Sequence, residues 1–255
     1  MASIETIKIN KKGVKMIAHR GLSAFETENT NAAFIAAGNK SYFGIETDVH
    51  VTKDGKFIIT HDDNMKRTSG VDCVVEETDF DTLRDIKLYE CNSCVLNGDS
   101  TTLKDTKRND LVCPSLEEYI LICKKYGKVA VLELKNPMTK KNVEDILTII
   151  GDCDYLNETI FISFVIENLV FIKELNPNLT VQFLSCNVDD LMTKMPTVLE
   201  YKMDLDLGHW ILTKEMVKDF KSKGIKINVW TPCNPKDAKK LIKLGVDFIT
   251  TNILE

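Results

Sequence analysis

Along the chain, short runs rich in β-branched and aliphatic residues alternate with longer segments whose apolar positions recur at helical spacing. VKMIAH is followed by NTNAAFIAAGN, then come FGIETDVHVT and KFIITH. After these stand SLEEYILICKKYG, KVAVLELK, KNVEDILTIIG, TIFISF, IENLVFIKELN, LTVQFL, MDLDL, TKEMVKDFKSKG, IKINVW, PKDAKKLIKLG and VDFITT. Strand then helix, repeated through the length, predicts a parallel sheet covered by helices. Gly127, Gly151, Gly224 and Gly245 stand where helix C-caps are expected, each with a strand soon after. No Pro-, Gly- or Ser-rich linker divides the chain, so residues 1–255 read as one domain. About eight such units favour a closed (β/α)8 TIM barrel over an open doubly wound sheet, which would be shorter or carry a nucleotide-binding glycine signature.

The pattern holds one strand candidate more than a barrel needs. The surplus lies in the pair 44–52 and 56–61, joined by T-K-D-G-K. Asp-Gly between two β-branched runs is a strong signal for a two-residue hairpin turn. With Asp54 and Gly55 as that turn, Lys53 pairs with Lys56 and His61 falls opposite Asp48. Side chains repeat every second residue on one strand face, so Glu46, Asp48 and His61 are expected to crowd together. Two carboxylates and an imidazole do little for a core. Residues 62–113 are the least regular stretch, and a connection this long is usually functional or a small appended element. A lid or insertion over the barrel mouth is expected there.

Composition narrows the class. A chain that is 44% hydrophobic and 28% charged is neither disordered nor collagen-like. Its 33 Lys and Arg against 38 Asp and Glu leave a net charge of −5, no electrostatic case for nucleic acid or an anionic membrane. An anionic substrate has to be met locally. No run approaches the roughly 18 apolar residues of a membrane span, and no apolar stretch follows the charges of MASIETIKINKKGVK. No stable membrane insertion and a cytoplasmic location are expected. The 8 cysteines are a small share of a chain this size and read as reduced thiols.

Two of the four histidines, His19 and His61, each end a predicted strand and precede a loop. In an α/β barrel that is the ligand face. Around the first, A-H-R-G-L-S-A-F-E-T-E-N-T supplies Gly21 for a tight turn, Arg20 as a planar donor fork suited to phosphate, and Asn29 as N-cap of a helix near Thr30. Glu46 and Asp48 share one strand face, as do Glu133 and Lys135. Carboxylates on the inward face of strands need a cation, because charged groups are almost never buried unpaired. Three carboxylates from two strands are hard oxygen ligands suited to Mg²⁺ or Ca²⁺. The bland alternative turns Glu133 and Lys135 outward to pair with helix residues.

H-R-G, then E-N-T, E-T-D-V-H-V-T-K-D-G, T-H-D, L-E-L-K, I-S-F and N-V-W-T, in that order and at these separations, resembles the glycerophosphodiester phosphodiesterases over residues 16–251. The resemblance implies a phospholipase-C-like (β/α)8 barrel that cleaves small-molecule glycerophosphodiesters to glycerol 3-phosphate and an alcohol with one divalent cation. By the same resemblance His19 and His61 match the catalytic histidine pair, and Glu46, Asp48 and Glu133 match the metal ligands. Arg20 and Lys135 match phosphate contacts, and Trp230 matches an aromatic of the substrate pocket. The nucleophile implied is the substrate's own adjacent glycerol hydroxyl, giving a cyclic phosphate that water opens. Such chemistry needs a base, an acid and charge neutralisation on phosphate oxygens, which this residue set supplies.

The chain departs from that pattern near its end, where the family commonly has Thr-Asp-Pro and Asn252 stands in the aspartate's place. Since that aspartate is neither a metal nor a proton-transfer group in the pattern, only a local hydrogen-bonding change is expected. His50 reads as a loop or supporting histidine, and His209 beside Trp210 as a packing residue. Cys91 and Cys94 lack the second close pair of a zinc site. A phospholipase C- or D-like enzyme acting on intact lipid would need an apolar rim or membrane-binding helix, and residues 62–113 show no sustained amphipathic pattern. A non-catalytic phospho-ligand barrel would have lost a histidine or a carboxylate, and none is missing.

Overall fold

The computed structural model describes residues 5–91, 103–104 and 108–255. In chain order the elements are β1 (Lys15–Ala18), α1 (Asn31–Gly38), β2 (Gly44–Val51), β3 (Phe57–Ile59), α2 (Lys66–Ser69), α3 (Phe80–Asp85), β4 (Glu90–Cys91) and β5 (Leu103–Lys104). There follow α4 (Leu116–Tyr126), β6 (Val129–Leu134), α5 (Lys140–Asp152), β7 (Thr159–Ser163), α6 (Ile166–Leu175), β8 (Thr180–Ser185) and α7 (Val188–Glu200). The last are β9 (Asp204–Gly208), α8 (Lys214–Ser222), β10 (Ile227–Trp230), α9 (Pro235–Leu244) and β11 (Phe248–Thr251). Strands β1, β2, β6, β7, β8, β9, β10 and β11 are parallel neighbours in that order. Because β1 pairs with both β2 and β11, the sheet closes into the expected barrel.

Polar caps start the crossover helices. Ser115 and Thr139 form capping boxes with Glu118 and Asn142, and Asn187, Thr213 and Asn234 cap α7, α8 and α9. Gly127 and Gly245 end α4 and α9 in the left-handed conformation expected of them. Gly151 differs: it lies inside α5, and Asp154 makes the left-handed turn after that helix.

Strand alternation sorts the side chains. On β6, Ala130, Leu132 and Leu134 enter the core under the helices, whereas Val131 packs inside the barrel with Ile17, Ile160, Ile162, Leu184 and Phe248. Glu133 has the parity of Val131 and points inward. On β2, Ile45 and Val49 take the helix side, which turns Glu46 and Asp48 inward. The outward alternative for Glu133 and Lys135 is thereby removed.

The surplus strand β3 lies antiparallel on β2, outside the barrel ring. Its register is one residue from the expectation: Val49 pairs with Ile59 and Val51 with Phe57. A two-residue turn of this kind needs two left-handed residues, and of Asp54 and Gly55 only Gly55 is left-handed. Thr52 N donates to Lys56 O at 2.8 Å and Gly55 N to Thr52 O at 2.9 Å, closing a three-residue loop over Lys53, Asp54 and Gly55. The Asp54 carboxylate, which accepts from Thr52 Oγ1 and Phe80 N, holds that loop. Thr60, not His61, therefore faces Asp48, and its N–H donates to Asp48 O at 3.1 Å.

The described part of the insertion is packed rather than irregular. Met65, Val75, Leu83, Leu88, Leu111 and Cys113 enclose Ile58 of β3 in a small satellite core. Cys94 and the side chain of Cys91 lie outside the described residues. Among the described cysteines Cys73, Cys113, Cys123, Cys153, Cys186 and Cys233 are unbridged. No helix of the described residues is long and apolar enough to cross a membrane.

Candidate active site

The H-R-G turn leaves β1 with two consecutive left-handed residues, Arg20 at φ 55° and Gly21 at φ 76°. A Cβ on Gly21 would come within 2.7 Å of Ala33, so helix α1 sits directly on the turn and only glycine fits. Asn29, expected as the N-cap of α1, does another job. Thr30 caps the helix, while left-handed Asn29 folds back onto β2. Its Nδ2 donates to Asp48 Oδ2 at 2.8 Å, and its Oδ1 accepts from Thr47 Oγ1 at 2.7 Å.

Glu46, Asp48 and Glu133 are buried, with one carboxylate oxygen from each within 4.8 Å of the others. Arg20 N donates to Glu46 Oε2 at 2.8 Å, and Lys135 Nζ lies 2.8 Å from Glu133 Oε1 and 3.7 Å from Asp48 Oδ1. Burial, then the Asp48 charge, pushes Glu46 well above the usual carboxylate range and Glu133 up to about 7. Burial also opposes ionisation of Asp48, but Arg20, His61 and Lys135 outweigh it and hold that carboxyl well below the usual range. Asp48 Oδ1 is buried with no hydrogen-bond partner. Three carboxylates that resist joint ionisation, with one orphaned oxygen, fit a divalent cation.

His19 Nδ1 lies 2.7 Å from Asn252 Oδ1, a carbonyl that can only accept. The ring proton therefore sits on Nδ1, leaving Nε2 with its lone pair. Burial, helped by the adjacent Arg20 charge, pushes the His19 pKa down to about 3. His61 lies two residues beyond β3, and its Nδ1 is 2.7 Å from Asp62 Oδ1. Asp62 accepts a two-pronged contact from Arg67 of α2, at 2.6 and 3.0 Å. The same guanidinium donates to both oxygens of Glu28, at 3.0 and 2.7 Å, and Glu28 accepts from Arg20 Nη1 at 2.8 Å. Buried His50 has Nε2 3.3 Å from His61 O and Nδ1 3.3 Å from Glu76, so it supports the backbone of His61, as its place after Asp48 suggested.

These groups open on a cavity of about 170 Å³. His19, Arg20, Glu46, His61 and Glu133 line its ionic half, and Ile162, Phe164, Leu184 and Trp230 its apolar half. The structure thus gathers the sequence-predicted residues at one end of the barrel, with Lys135 joined through Glu133. Asn252, Arg67 and Glu28 were not read as site residues. Asp62 had a signal, its place beside His61 in T-H-D, whereas nothing local in the sequence marks Arg67. A larger groove of about 400 Å³ beside Phe57, Phe80 and Ile149 holds no comparable cluster.

The family model "Glycerophosphoryl diester phosphodiesterase family" matches residues 19–255. The chain belongs to this family. A glycerophosphodiester phosphodiesterase of Bacillus subtilis (strain 168) is 30% identical over 249 residues, covering 92% of this chain and 82% of the relative. Among solved structures, an Oleispira antarctica phosphodiesterase in complex with the product sn-glycerol-3-phosphate superposes with a TM-score of 0.77 at 24% identity, covering 93% of this chain and 92% of that one. A glycerophosphodiester phosphodiesterase of Parabacteroides distasonis ATCC 8503 gives 0.75 at 26% identity, covering 94% and 93%. The chain is a phosphoric diester hydrolase of this family, and its buried acidic triad could hold an ion.

Proposed function

We propose that this phosphodiesterase hydrolyses glycerophosphodiesters to glycerol 3-phosphate and an alcohol, with Glu46, Asp48 and Glu133 holding one Mg²⁺ or Ca²⁺ and His19 and His61 transferring protons. The observation that carries the reading is the meeting, at one cavity, of three buried carboxylates within 4.8 Å of one another and two strand-end histidines. The cation, when bound, supplies charge neutralisation for the phosphate oxygens. Arg20 and Lys135 add fixed positive charge beside it.

Neutral His19 suits the base. Its Nε2 takes the proton of the glycerol hydroxyl adjacent to the phosphate, whose oxygen then attacks phosphorus. His61, with the Asp62 carboxylate behind Nδ1, suits the acid that protonates the departing alkoxide. Water opens the resulting cyclic phosphate with the two roles exchanged. Trp230 walls the glycerol carbons.

The test is release of glycerol 3-phosphate from glycerophosphocholine, glycerophosphoethanolamine and glycerophosphoglycerol with Mg²⁺, Ca²⁺ or EDTA. His19→Ala and His61→Ala should each lower kcat by about 10²- to 10⁴-fold, the usual contribution of a positioned acid or base, with metal affinity nearly unchanged. Wild-type rates in either variant would sink the assignment. Glu46→Gln should weaken metal binding by calorimetry, and unchanged affinity would remove Glu46 from the ligand set.

A further inference from the structure

The carboxylates that could hold a cation stand on one wall of the barrel, and another buried carboxyl stands on the opposite one. Asp206 of β9 is 1% exposed and lines the same cavity as His19, Glu46 and Glu133. Leu205 and Leu207 enter the core under the helices, which turns Asp206 inward. Around the closed ring β9 is the fourth strand from β2 in either direction, so Asp206 lies across the barrel from Glu46 and Asp48. Its register partners are Leu184 on β8 and Asn228 on β10, and Trp230 holds the next inward position of β10. The neighbouring polar side chains are engaged with one another: Asn228 Nδ2 donates to Gln182 Oε1 and Asn228 Oδ1 accepts from Thr250 Oγ1, both at 3.2 Å. Among the described residues, however, Asp206 Oδ1 has no hydrogen-bond partner, and neither has Trp230 Nε1, although both atoms are buried. Gln182 Nε2 is open too, but Gln182 sits deeper and does not line the cavity. Buried polar groups are nearly always paired, so an open acceptor and an open donor on two residues of one ligand cavity point to a ligand group that supplies both bonds.

We propose that Asp206 and Trp230 read the terminal hydroxyl of the substrate's glycerol, Asp206 Oδ1 accepting a hydrogen bond from it and Trp230 Nε1 donating one to it, so that this chain selects phosphodiesters whose glycerol carries a free hydroxyl at that carbon. The proposal rests on the phosphodiesterase reading above and adds a pair of specificity-determining residues. With the phosphate held against the wall of β2 and β6, the glycerol chain runs from the phosphate through the attacking hydroxyl to the terminal one, and the terminal carbon is the part that extends toward β9. Only a hydroxyl both donates and accepts. An ammonium only donates and would leave Trp230 Nε1 open, an ether or ester oxygen only accepts and would leave Asp206 open, and a methyl group satisfies neither. Ile162, Phe164 and Leu184 line the same half of the cavity and keep water from standing in for a missing hydroxyl. A site of this kind rejects the analogue that lacks the hydroxyl, because its own buried groups are then left unpaired.

The test compares glycerophosphocholine with 2-hydroxypropyl phosphocholine, which keeps the phosphate, the choline and the attacking hydroxyl and has hydrogen in place of the terminal hydroxyl. Wild-type kcat/KM should favour the glycerol compound by about 10- to 100-fold, the usual cost of a buried polar group left unpaired. Asp206→Leu should bring that ratio to within about threefold of one, whereas Asp206→Asn, which keeps the volume and an acceptor oxygen, should retain most of it. Trp230→Phe, which keeps an aromatic wall and deletes the donor, should lower the ratio. Thermal melts and calorimetric metal affinity establish that each variant is folded, and Asp206→Val replaces the Leu variant if that one is not. Equal turnover of the two compounds by the wild type would overturn the proposal. So would a ratio that survives in Asp206→Leu or Asp206→Val, including through equal losses on both compounds, which would mark Asp206 as structural. Absence of turnover with both compounds would instead defeat the phosphodiesterase reading. Calorimetric titration with glycerol 3-phosphate and with 2-hydroxypropyl phosphate, in Mg²⁺, would then still decide the proposal: tighter binding of the former, lost in Asp206→Leu, supports it, and equal affinities overturn it.

Discussion

Asn252 stands one residue beyond β11, and its carbonyl oxygen meets His19 Nδ1 at 2.7 Å. A neutral partner fixes the ring tautomer and favours the imidazolium only weakly, so burial and Arg20 outweigh it and set the low pKa of about 3. Asn252→Asp should reverse that balance. A carboxylate there stabilises protonated His19, and protonated His19 cannot accept the substrate proton. The low-pH limb of kcat/KM should therefore move to higher pH, by about 1–3 units for a charge at this distance. A limb that stays in place would detach Asn252 from the base. The expectation of a merely local change at Asn252 was too narrow: the partner of His19 lies at the far end of the chain, where no local pattern points to it.

At the scale of elements, the four-residue helix α2 matters through one side chain. Arg67 spans Asp62 and Glu28, and through them His61 and Arg20, with four contacts between 2.6 and 3.0 Å. An ammonium has no planar fork to match two carboxylates at once. Both Arg67→Lys and Arg67→Gln should thus lower kcat by about tenfold or more, as loss of an orienting partner usually does, with metal affinity held. Calorimetry alongside steady-state kinetics separates this from a damaged ligand set, and an unchanged kcat would show that Asp62 and Glu28 hold their places unaided. The existence of the hairpin was legible from T-K-D-G-K, but its register was not. Asp-Gly is compatible with more than one loop, and the choice was made by Asp54 reaching Phe80 in the insertion.

Over the whole molecule, closure of the barrel brings β2 and β6 side by side and so concentrates negative charge inside it. Without a cation, a carboxyl such as Glu133, raised from 4.5 to about 7 on folding, lends stability below 4.5 that is lost as pH rises through about 7. A bound divalent cation works the other way, since it binds the ionised triad. The gain in Tm from saturating Mg²⁺ or Ca²⁺ over EDTA should therefore grow between about pH 5.5 and about pH 8, with metal affinity rising about tenfold per unit below pH 7. A gain independent of pH would remove Glu133 from the ligands.

The alternation of strand and helix, and the parity of each strand, were determined by the sequence alone. Periods of two and 3.6 residues are local, and they already state that Glu46 shares a face with Asp48 and Glu133 with Lys135, whereas the inward direction of the second pair was settled by the closed barrel. The strand-end positions of His19 and His61 follow from the same patterns. Contacts between residues far apart in the chain were decided only by the tertiary structure: Asn252 on His19, Arg67 between two carboxylates, and Trp230 between Phe164 and Trp210. Each depends on register and ring closure, which depend on the whole set of strands packing at once.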